Sequence, residues 1–256
     1  MCLLALAWKT DARWPLVLAA NRDEAHERPS LPAHRWADAP EVLGGQDEES
    51  GGTWLGVSAA GRLAAITNVR EPLAERRARR SRGLLTRAFL TGEVDIGGLQ
   101  ALPLLDFNPF NLIVVDWPHA AFATNRPQPL VRPLPPGLYG LSNGTLDAPW
   151  PKTQALKRAL ARWMDEDAVD FEPLMAALAD ETLPEDRHLP DTGVGLERER
   201  HLSPAFIRGP VYGTRASTVL RVAADGTGEM LERSFGPMGA PGADTFLEFR
   251  WPLPAG

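Results

Sequence analysis

The chain has 256 residues, 44% of them hydrophobic, and a formal net charge of −6 at pH 7. It contains no apolar run of the roughly 20 residues that span a bilayer, and its single cysteine excludes an internal disulfide. Its negative charge argues against nucleic acid as a partner. We therefore expect one cytoplasmic globular domain over residues 1–256, with no membrane span.

The first predicted element is a β-hairpin. Leu3–Trp8 contains no polar residue, which is typical of a strand that is buried on both faces. A polar turn separates it from Pro15–Ala20, the predicted return strand, where proline is tolerated at the first position. Antiparallel pairing across this turn places Cys2 beside Asn21 and Arg22, with facing Cα atoms roughly 4.5–5.5 Å apart. The only cysteine is thus predicted to lie against an amide, a guanidinium and two following carboxylates.

Three irregular segments follow the hairpin. Residues 25–40 are rich in Pro, His and Arg without a sustained period, and they are predicted to form a surface loop. Paired glycines at 44–45 and 51–52 predict tight turns where the backbone makes a close approach. The run Glu71–Arg82 is dense in charge, and a solvated face is its favoured interpretation, with an anion site for a phosphate or carboxylate as the alternative. Its arginines are Arg76, Arg77, Arg79, Arg80 and Arg82.

The remaining pattern alternates hairpin signals with two blocks of helices. Strands begin and end the chain, so the hairpins predict antiparallel sheets in an α+β protein rather than βαβ units. A polar segment over residues 183–204 is predicted to be a loop. The predicted strands are Trp54–Ser58, Arg62–Asn68, Asn111–Asp116, Ala120–Thr124, Leu138–Ser142, Val211–Ala223, Gly228–Phe235 and Thr245–Phe249, and the predicted helices are Ser81–Leu90, Asp95–Leu102, Trp150–Trp163 and Phe171–Leu178.

Metal and cofactor chemistry has little support among the motifs. The five histidines form no H-x-x-H or H-x-x-x-H pair, and one cysteine cannot form a thiolate cage. The cluster Asp47, Glu48 and Glu49 could hold a hard cation, although a solvated turn is the favoured interpretation. Phosphate-loop, dinucleotide-binding and G-x-S-x-G motifs do not occur in the sequence, so we predict no cofactor.

Cys2 has two interpretations. Removal of Met1 is favoured when the second residue is small, and it would leave Cys2 with a free α-amino group whose pKa is about 7.7–8.0. One residue would then carry a nucleophilic sulfur and the base that takes its proton. Arg22 would favour the thiolate, and Asp23 would orient the ammonium. The alternative is a small apolar residue that begins a strand.

A series of ordered motifs runs through nearly the whole chain. The segments are Met1-Cys2, Ala20–Glu24, Gly44–Asp47, Gly51–Val57, Gly61–Arg62, Thr67–Arg70, Leu141–Asn143, Pro149–Lys152 and Tyr212–Thr218. Together they resemble the NRDE-motif family of the transport-and-Golgi-organisation type. More distantly, this family is similar to N-terminal nucleophile hydrolases of the penicillin V acylase and bile salt hydrolase group. That similarity implies a four-layer αββα sandwich of antiparallel sheets.

The resemblance also implies the site residues. Cys2 would be the nucleophile, and Asn143 would be the oxyanion donor. The activating pair would be Arg22 and Asp23, although their spacing is tighter than the Arg-x-x-Asp arrangement of the acylases, which leaves the division of roles between them open. The other catalytic residues would be Asn68 and Arg215, and the substrate-binding residues would be Asn21, Glu24, Trp54 and Arg70.

The residues themselves give independent reasons for three of these assignments. Asn68 and Asn143 each follow a predicted strand, where a side-chain amide can project into a pocket and donate to an oxyanion. Arg215 lies in an apolar strand, where an unpaired cation would be costly. We therefore expect it to meet Asp23, Glu24 or a substrate anion, with a structural ion pair as the equally weighted alternative.

Two functions follow. The first is hydrolysis of an amide or thioester carbonyl in a small-molecule substrate, with Cys2 as nucleophile after Met1 is removed. The second is non-catalytic binding or trafficking of haem or of an acyl-lipid or acyl-CoA ligand on the same fold, an association that the family carries. The sequence itself supports haem little, because it has no Cys-Pro pair and no histidine in a matched motif.

Overall fold

The N-terminal hairpin lies within the first of two β-sheets in the computed structural model, which describes residues 2–72, 80–166 and 168–252. Strand β1 (Cys2–Trp8) pairs antiparallel with β2 (Leu16–Ala25), which confirms the predicted hairpin. Cys2 lies opposite Arg22, one of the two residues predicted beside it. Every second β1 side chain from Leu4 to Trp8 enters the core between the sheets, while the intervening ones pack against helices. Because both faces are covered, the strand is apolar throughout.

The strands of the described residues form two antiparallel sheets. The strands after the hairpin are β3 (Ser30–Arg35), β4 (Val42–Asp47), β5 (Leu55–Ser58), β6 (Arg62–Asn68), β7 (Phe110–Asp116), β8 (His119–Thr124), β9 (Leu130–Pro133), β10 (Gly137–Leu141), β11 (Tyr212–Val222), β12 (Thr227–Phe235) and β13 (Pro241–Arg250). The six-stranded sheet has the order β10-β1-β2-β11-β12-β13. The seven-stranded sheet runs from β3 to β9 in chain order, as expected for strands joined by successive hairpins.

Helices cover the outer face of each sheet. They are α1 (Gly83–Leu90), α2 (Ile96–Leu99), α3 (Pro151–Asp165), α4 (Glu172–Leu178) and α5 (Leu196–His201). Helices α1 and α2 pack on the seven-stranded sheet, and α3 and α4 pack on the six-stranded sheet. A third apolar cluster fills the space between the two sheets. These layers form the predicted αββα sandwich, which confirms the fold class. No helix among the described residues is long and apolar enough to cross a membrane.

Two segments predicted as loops contain regular structure. Strand β3 lies within residues 25–40, and helix α5 lies within residues 183–204. β3 is a mostly exposed edge strand without an alternating apolar pattern, and its hydrogen bonds to β4 hold it in the sheet. α5 has charged residues at most positions and buries Glu199, so no apolar period marks it. Both predictions were wrong because tertiary contacts, rather than local pattern, order these segments.

The glycine-rich and charged segments also differ in detail from the prediction. Gly44 lies in strand β4 rather than in a turn, yet its backbone approach is close: a Cβ there would lie 2.6 Å from the carbonyl oxygen of Leu55. Helix α1 begins at Gly83, two residues after the predicted start at Ser81. In the charged run, Arg76, Arg77 and Arg79 lie outside the described residues.

Candidate functional site

A polar cavity of about 320 Å³ lies where β1 begins, β6 ends and helix α1 starts. Both sheets and the segment before α1 contribute side chains, so residues far apart in sequence share one wall. Its volume is at the small end of the range of roughly 300–1,000 Å³ for ligand sites. Six of the ten predicted site residues line it: Cys2, Arg22, Asp23, Glu24, Trp54 and Asn68.

Cys2 is the first residue of β1 and opens into this cavity. Burial raises the pKa of its thiol, and the negative charge of Asp23 acts in the same direction. A hydrogen bond from the Asp23 backbone and the charge of Arg22 oppose this rise without cancelling it. The sulfur is therefore held as a neutral thiol at neutral pH, and attack by a thiolate would require a base to remove its proton.

Arg22 is fixed against the cavity wall by partners on both sides. Its guanidinium donates a hydrogen bond to the Ser30 hydroxyl at 3.0 Å and lies 3.5 Å from an Asp47 carboxylate oxygen. The same group stacks over the Trp54 ring, 4.0 Å from the ring centroid. Burial lowers the pKa of Arg22, although no such shift removes an arginine's charge near pH 7. The positive charge beside Cys2 is therefore permanent and held in one orientation.

Asp23 is a buried carboxyl group that faces Cys2 on one side and polar groups on the other. The Thr214 hydroxyl donates to its Oδ1 at 2.7 Å, and the Tyr212 hydroxyl donates to its backbone oxygen at 3.1 Å. Burial raises the pKa of Asp23, against the opposing effects of the Lys152 charge and the Thr214 hydrogen bond. These contacts hold the carboxyl group in place next to the cysteine.

Lys152 was part of a matched motif but was given no role in the prediction. Its ammonium is buried and donates to the backbone oxygen of Leu202 at 2.8 Å. Burial lowers the pKa of Lys152 to about 8, and the charge of Asp23 acts in the opposite direction. A buried cation thus lies behind the Asp23 carboxylate. The Pro-Trp-Pro-Lys motif was the only signal in the sequence that could have pointed to it.

The two predicted oxyanion residues occupy different layers. Asn68 ends β6 and lines the cavity, whereas Asn143 is fully buried behind it. The Asn143 amide nitrogen donates to both the backbone oxygen and the side-chain oxygen of Asn68, each at 3.0 Å. The Asn143 side-chain oxygen accepts from the Ser142 hydroxyl at 3.2 Å. Asn143 therefore orients Asn68, and of the two side chains it is Asn68 that lines the cavity.

Asn21 points away from the cavity, into the helical layer over its sheet. Its amide nitrogen donates to the backbone oxygens of Leu178 and Ala205, each at 2.8 Å. Its side-chain oxygen accepts from the Ser217 hydroxyl at 2.6 Å. The side chain is 2% exposed and its donors and acceptor are used within the protein. The structure thus gives Asn21 a role in joining β2 to the layer around it.

Arg215 and Arg70 also lie outside the cavity lining. The Arg215 guanidinium donates to the backbone oxygens of Ala25 and Arg28, at 3.1 and 2.7 Å, and so holds the turn after β2. The Arg70 guanidinium forms a buried ion pair with Glu199 and lies 4.9 Å from the Trp150 ring centroid. In this structure both arginines support the elements that carry the site.

Two charged residues outside the set of ten predicted site residues, Arg28 and Asp47, line the cavity as an ion pair. The Arg28 guanidinium donates to Asp47 at 2.5 Å and 3.1 Å, and it also lies 3.1 Å from a Glu49 oxygen. Burial alone would raise the pKa of Asp47, but the hydrogen bonds from Arg28 and Ser50 hold it below its ordinary value. These contacts show the acidic cluster neutralised by guanidinium. The described residues contain no group of three or more His, Cys, Asp or Glu side chains placed to hold a metal ion.

Comparison with known proteins identifies the family and supports the fold. The family model for Transport and Golgi organisation 2 matches residues 1–237. The chain is 38% identical over 238 residues to the Transport and Golgi organization protein 2 homolog of Homo sapiens, and 36% identical over 242 residues to the Mus musculus homolog. Each of these matches covers 86% of this chain and 86% of the relative.

Among solved structures, a C2A mutant of conjugated bile acid hydrolase from Clostridium perfringens superimposes with a TM-score of 0.52 at 9% identity, over 97% of this chain and 92% of that one. The likeness shows a shared fold. The sequence matches, which cover most of the chain, show the family directly. The chain belongs to the Transport and Golgi organisation 2 family.

Proposed function

We propose that this protein is a hydrolase of the N-terminal-cysteine type, which acts on an amide or thioester carbonyl. The observation that carries the proposal is the placement of the only cysteine: Cys2 opens into a polar cavity, opposite Arg22 and next to the buried Asp23. A neutral thiol in this position needs a local base. The name of the structurally similar bile acid hydrolase records a substitution of Cys by Ala at its own second position.

The proposed reaction begins once Met1 is removed and Cys2 carries a free α-amine. The amine takes the thiol proton, and the sulfur attacks the carbonyl carbon to form a tetrahedral intermediate. The Asn68 amide donates a hydrogen bond to the oxyanion, and Asn143 keeps that amide in position. The ammonium then protonates the leaving amine or thiol. Water, activated by the same amine, hydrolyses the acyl-Cys2 thioester and regenerates the enzyme.

Two fixed charges support this sequence of steps. Arg22 stabilises the thiolate that forms opposite it, because its guanidinium is held by Ser30, Asp47 and Trp54. The Asp23 carboxylate offers a counter-charge to the α-ammonium. These roles divide the pair in one definite way: Arg22 acts on the sulfur, and Asp23 acts on the nitrogen.

The test has a covalent readout. Wild-type protein incubated with a series of N-acyl amides and acyl thioesters is expected to gain the mass of one acyl group, and Cys2→Ala is expected to gain none while keeping its thermal stability. Asn68→Ala should lower kcat roughly 10²–10³-fold, the usual cost of losing one oxyanion donor. Intact mass spectrometry of the purified protein should show that Met1 is absent.

Retention of Met1, or equal acylation of the Cys2→Ala variant, would overturn the mechanism. The binding alternative predicts a different pattern: saturable binding of haem or an acyl ligand with no acyl-enzyme and no turnover. Spectral titration with haem, comparing wild type with Cys2→Ala, separates these outcomes.

A further inference from the structure

The cavity beside Cys2 contains three arginines, and their partners differ. The Arg22 guanidinium is held by Asp47 and Ser30, and the Arg28 guanidinium is held by Asp47 and Glu49. Arg82 lines the same cavity, but within residues 2–72, 80–166 and 168–252 its side chain has no hydrogen bond or ion pair. Two of the three cations are therefore neutralised by the protein, and the third has open donors.

Arg82 is half-buried in this cavity and keeps its positive charge. Burial lowers the pKa of Arg82, and the charge of Glu24 acts in the opposite direction. The Glu24 carboxylate faces the same cavity, but its oxygen accepts a hydrogen bond from the Ala25 backbone at 2.9 Å, and it forms no ion pair with Arg82. The fork of N–H donors on a guanidinium is matched best by an oxyanion that accepts them.

The neighbouring arginine on the same segment shows the opposite arrangement. Arg80 is exposed and its guanidinium lies 4.9 Å from the Phe107 ring centroid, outside the cavity. Its backbone nitrogen donates to Asp106 and its backbone oxygen accepts from Asn108, so the segment is held in place by contacts that do not use the side chain. Of the two arginines Arg80 and Arg82, Arg82 lines the cavity and Arg80 does not.

We propose that Arg82 is an anion-binding residue of this cavity, and that the molecule bound beside Cys2 carries a carboxylate or phosphate group. The proposal rests on the proposed function only where it treats the bound molecule as a substrate. Binding of an anion at Arg82 does not require that the protein catalyse a reaction. The acidic group would bind to the Arg82 guanidinium while the scissile carbonyl lies at the sulfur. Glu24, on the same cavity, weakens the site for any anion by repulsion.

The test uses the reactivity of Cys2 toward two alkylating reagents of similar size. Iodoacetate is anionic and iodoacetamide is neutral, and the added mass reports Cys2 alone because the chain has one cysteine. Arg82→Gln is expected to lower the ratio of the iodoacetate rate to the iodoacetamide rate roughly tenfold, the low end of the range for a fixed charge acting in a cleft. Arg80→Gln removes the same charge from the same segment and should leave the ratio unchanged.

Two further measurements identify the class of anion that binds and test the repulsion by Glu24. Inorganic phosphate and acetate are added separately as competitors: stronger protection by phosphate indicates a phosphate-bearing ligand, and stronger protection by acetate indicates a carboxylate-bearing one. Glu24→Gln should strengthen protection by either anion. A ratio unaffected by Arg82→Gln, or lowered equally by Arg80→Gln, overturns the proposal.

A direct measurement covers the case in which Cys2 resists both reagents. In ¹⁵N-labelled protein, the Arg82 side-chain Nε–Hε resonance, assigned by its loss in Arg82→Gln, should shift in a saturable way on addition of phosphate or acetate. Absence of a shift overturns the proposal. The two proposals can fail independently. A protein that binds phosphate or acetate at Arg82 but hydrolyses no substrate would support the anion site and contradict only the hydrolase proposal.

Discussion

The buried ion pair between Arg70 and Glu199 joins the chain just after β6 to helix α5, and its loss should be costly. The two side chains are 3% and 2% exposed. Glu199 also accepts hydrogen bonds from the Thr192 backbone nitrogen and hydroxyl, at 3.0 and 2.5 Å. In Glu199→Gln, an amide oxygen can still accept from Thr192, but the carboxylate bonded to the buried guanidinium is gone. We expect a loss of about 3–5 kcal/mol in the free energy of unfolding, because the buried guanidinium loses the carboxylate that pairs with it.

Urea denaturation followed by tryptophan fluorescence measures this loss. Domains are commonly stable by about 5–15 kcal/mol, so the expected change is a large part of the total and should move the transition midpoint clearly. Arg70→Met in the Glu199→Gln background removes the buried guanidinium. The double variant is therefore expected to be more stable than Glu199→Gln alone, since an apolar side chain tolerates the same site.

The control is an exposed ion pair between Arg200 of the same helix and Asp186, which lies before that helix in the chain. Arg200 and Asp186 are 52% and 50% exposed, so Asp186→Asn should leave the urea midpoint unchanged within error. The reasoning would be refuted if Glu199→Gln unfolded at the wild-type urea concentration, or if the double variant were less stable than Glu199→Gln.

Two further predictions concern the buried lysine and the close-packed glycine. Burial holds the pKa of Lys152 at about 8 against an ordinary value of 10.5, so between these values the unfolded chain binds more protons and stability should rise with pH. Relative to Lys152→Met, wild-type protein should gain about 3 kcal/mol across that window in urea titrations, and a flat difference would contradict the assignment. Gly44→Ala should cost roughly 1–3 kcal/mol, because its Cβ would lie 2.6 Å from the Leu55 carbonyl oxygen. Gly236→Ala is the matched control, since its nearest contact would be an ordinary 3.6 Å, and equal thermal stability of both variants would exclude the steric explanation.

The parts of the fold that depend on local pattern were predictable. The apolar run of β1 and its short turn predicted the hairpin and placed Cys2 beside Asn21 and Arg22, and the structure pairs it with Arg22. The segments β3 and α5 were missed, since one is a mostly exposed edge strand and the other a charged helix, and neither carries an apolar period.

The candidate site was likewise predictable only in part. Cys2, Arg22 and Asp23 could be brought together from the sequence because one hairpin holds them, and motif resemblance added Asn68. The sequence could not show that the Asn143 amide nitrogen donates to Asn68. Nor could it show that the Asn21 amide nitrogen donates to the backbone oxygens of Leu178 and Ala205. Those hydrogen bonds join positions far apart in the chain, and no local pattern encodes them.

The chemical groups of the site follow from the sequence: one cysteine at a strand end, followed across the hairpin by a guanidinium and a carboxylate. The packing of the fold sets which charges remain available there. Arg28 and Asp47 neutralise each other, whereas Arg82 lines the cavity with open donors among the described residues. The reason is physical: a cation's availability depends on which carboxylates the fold places within hydrogen-bond distance, and that distance is set by the packing of the two sheets.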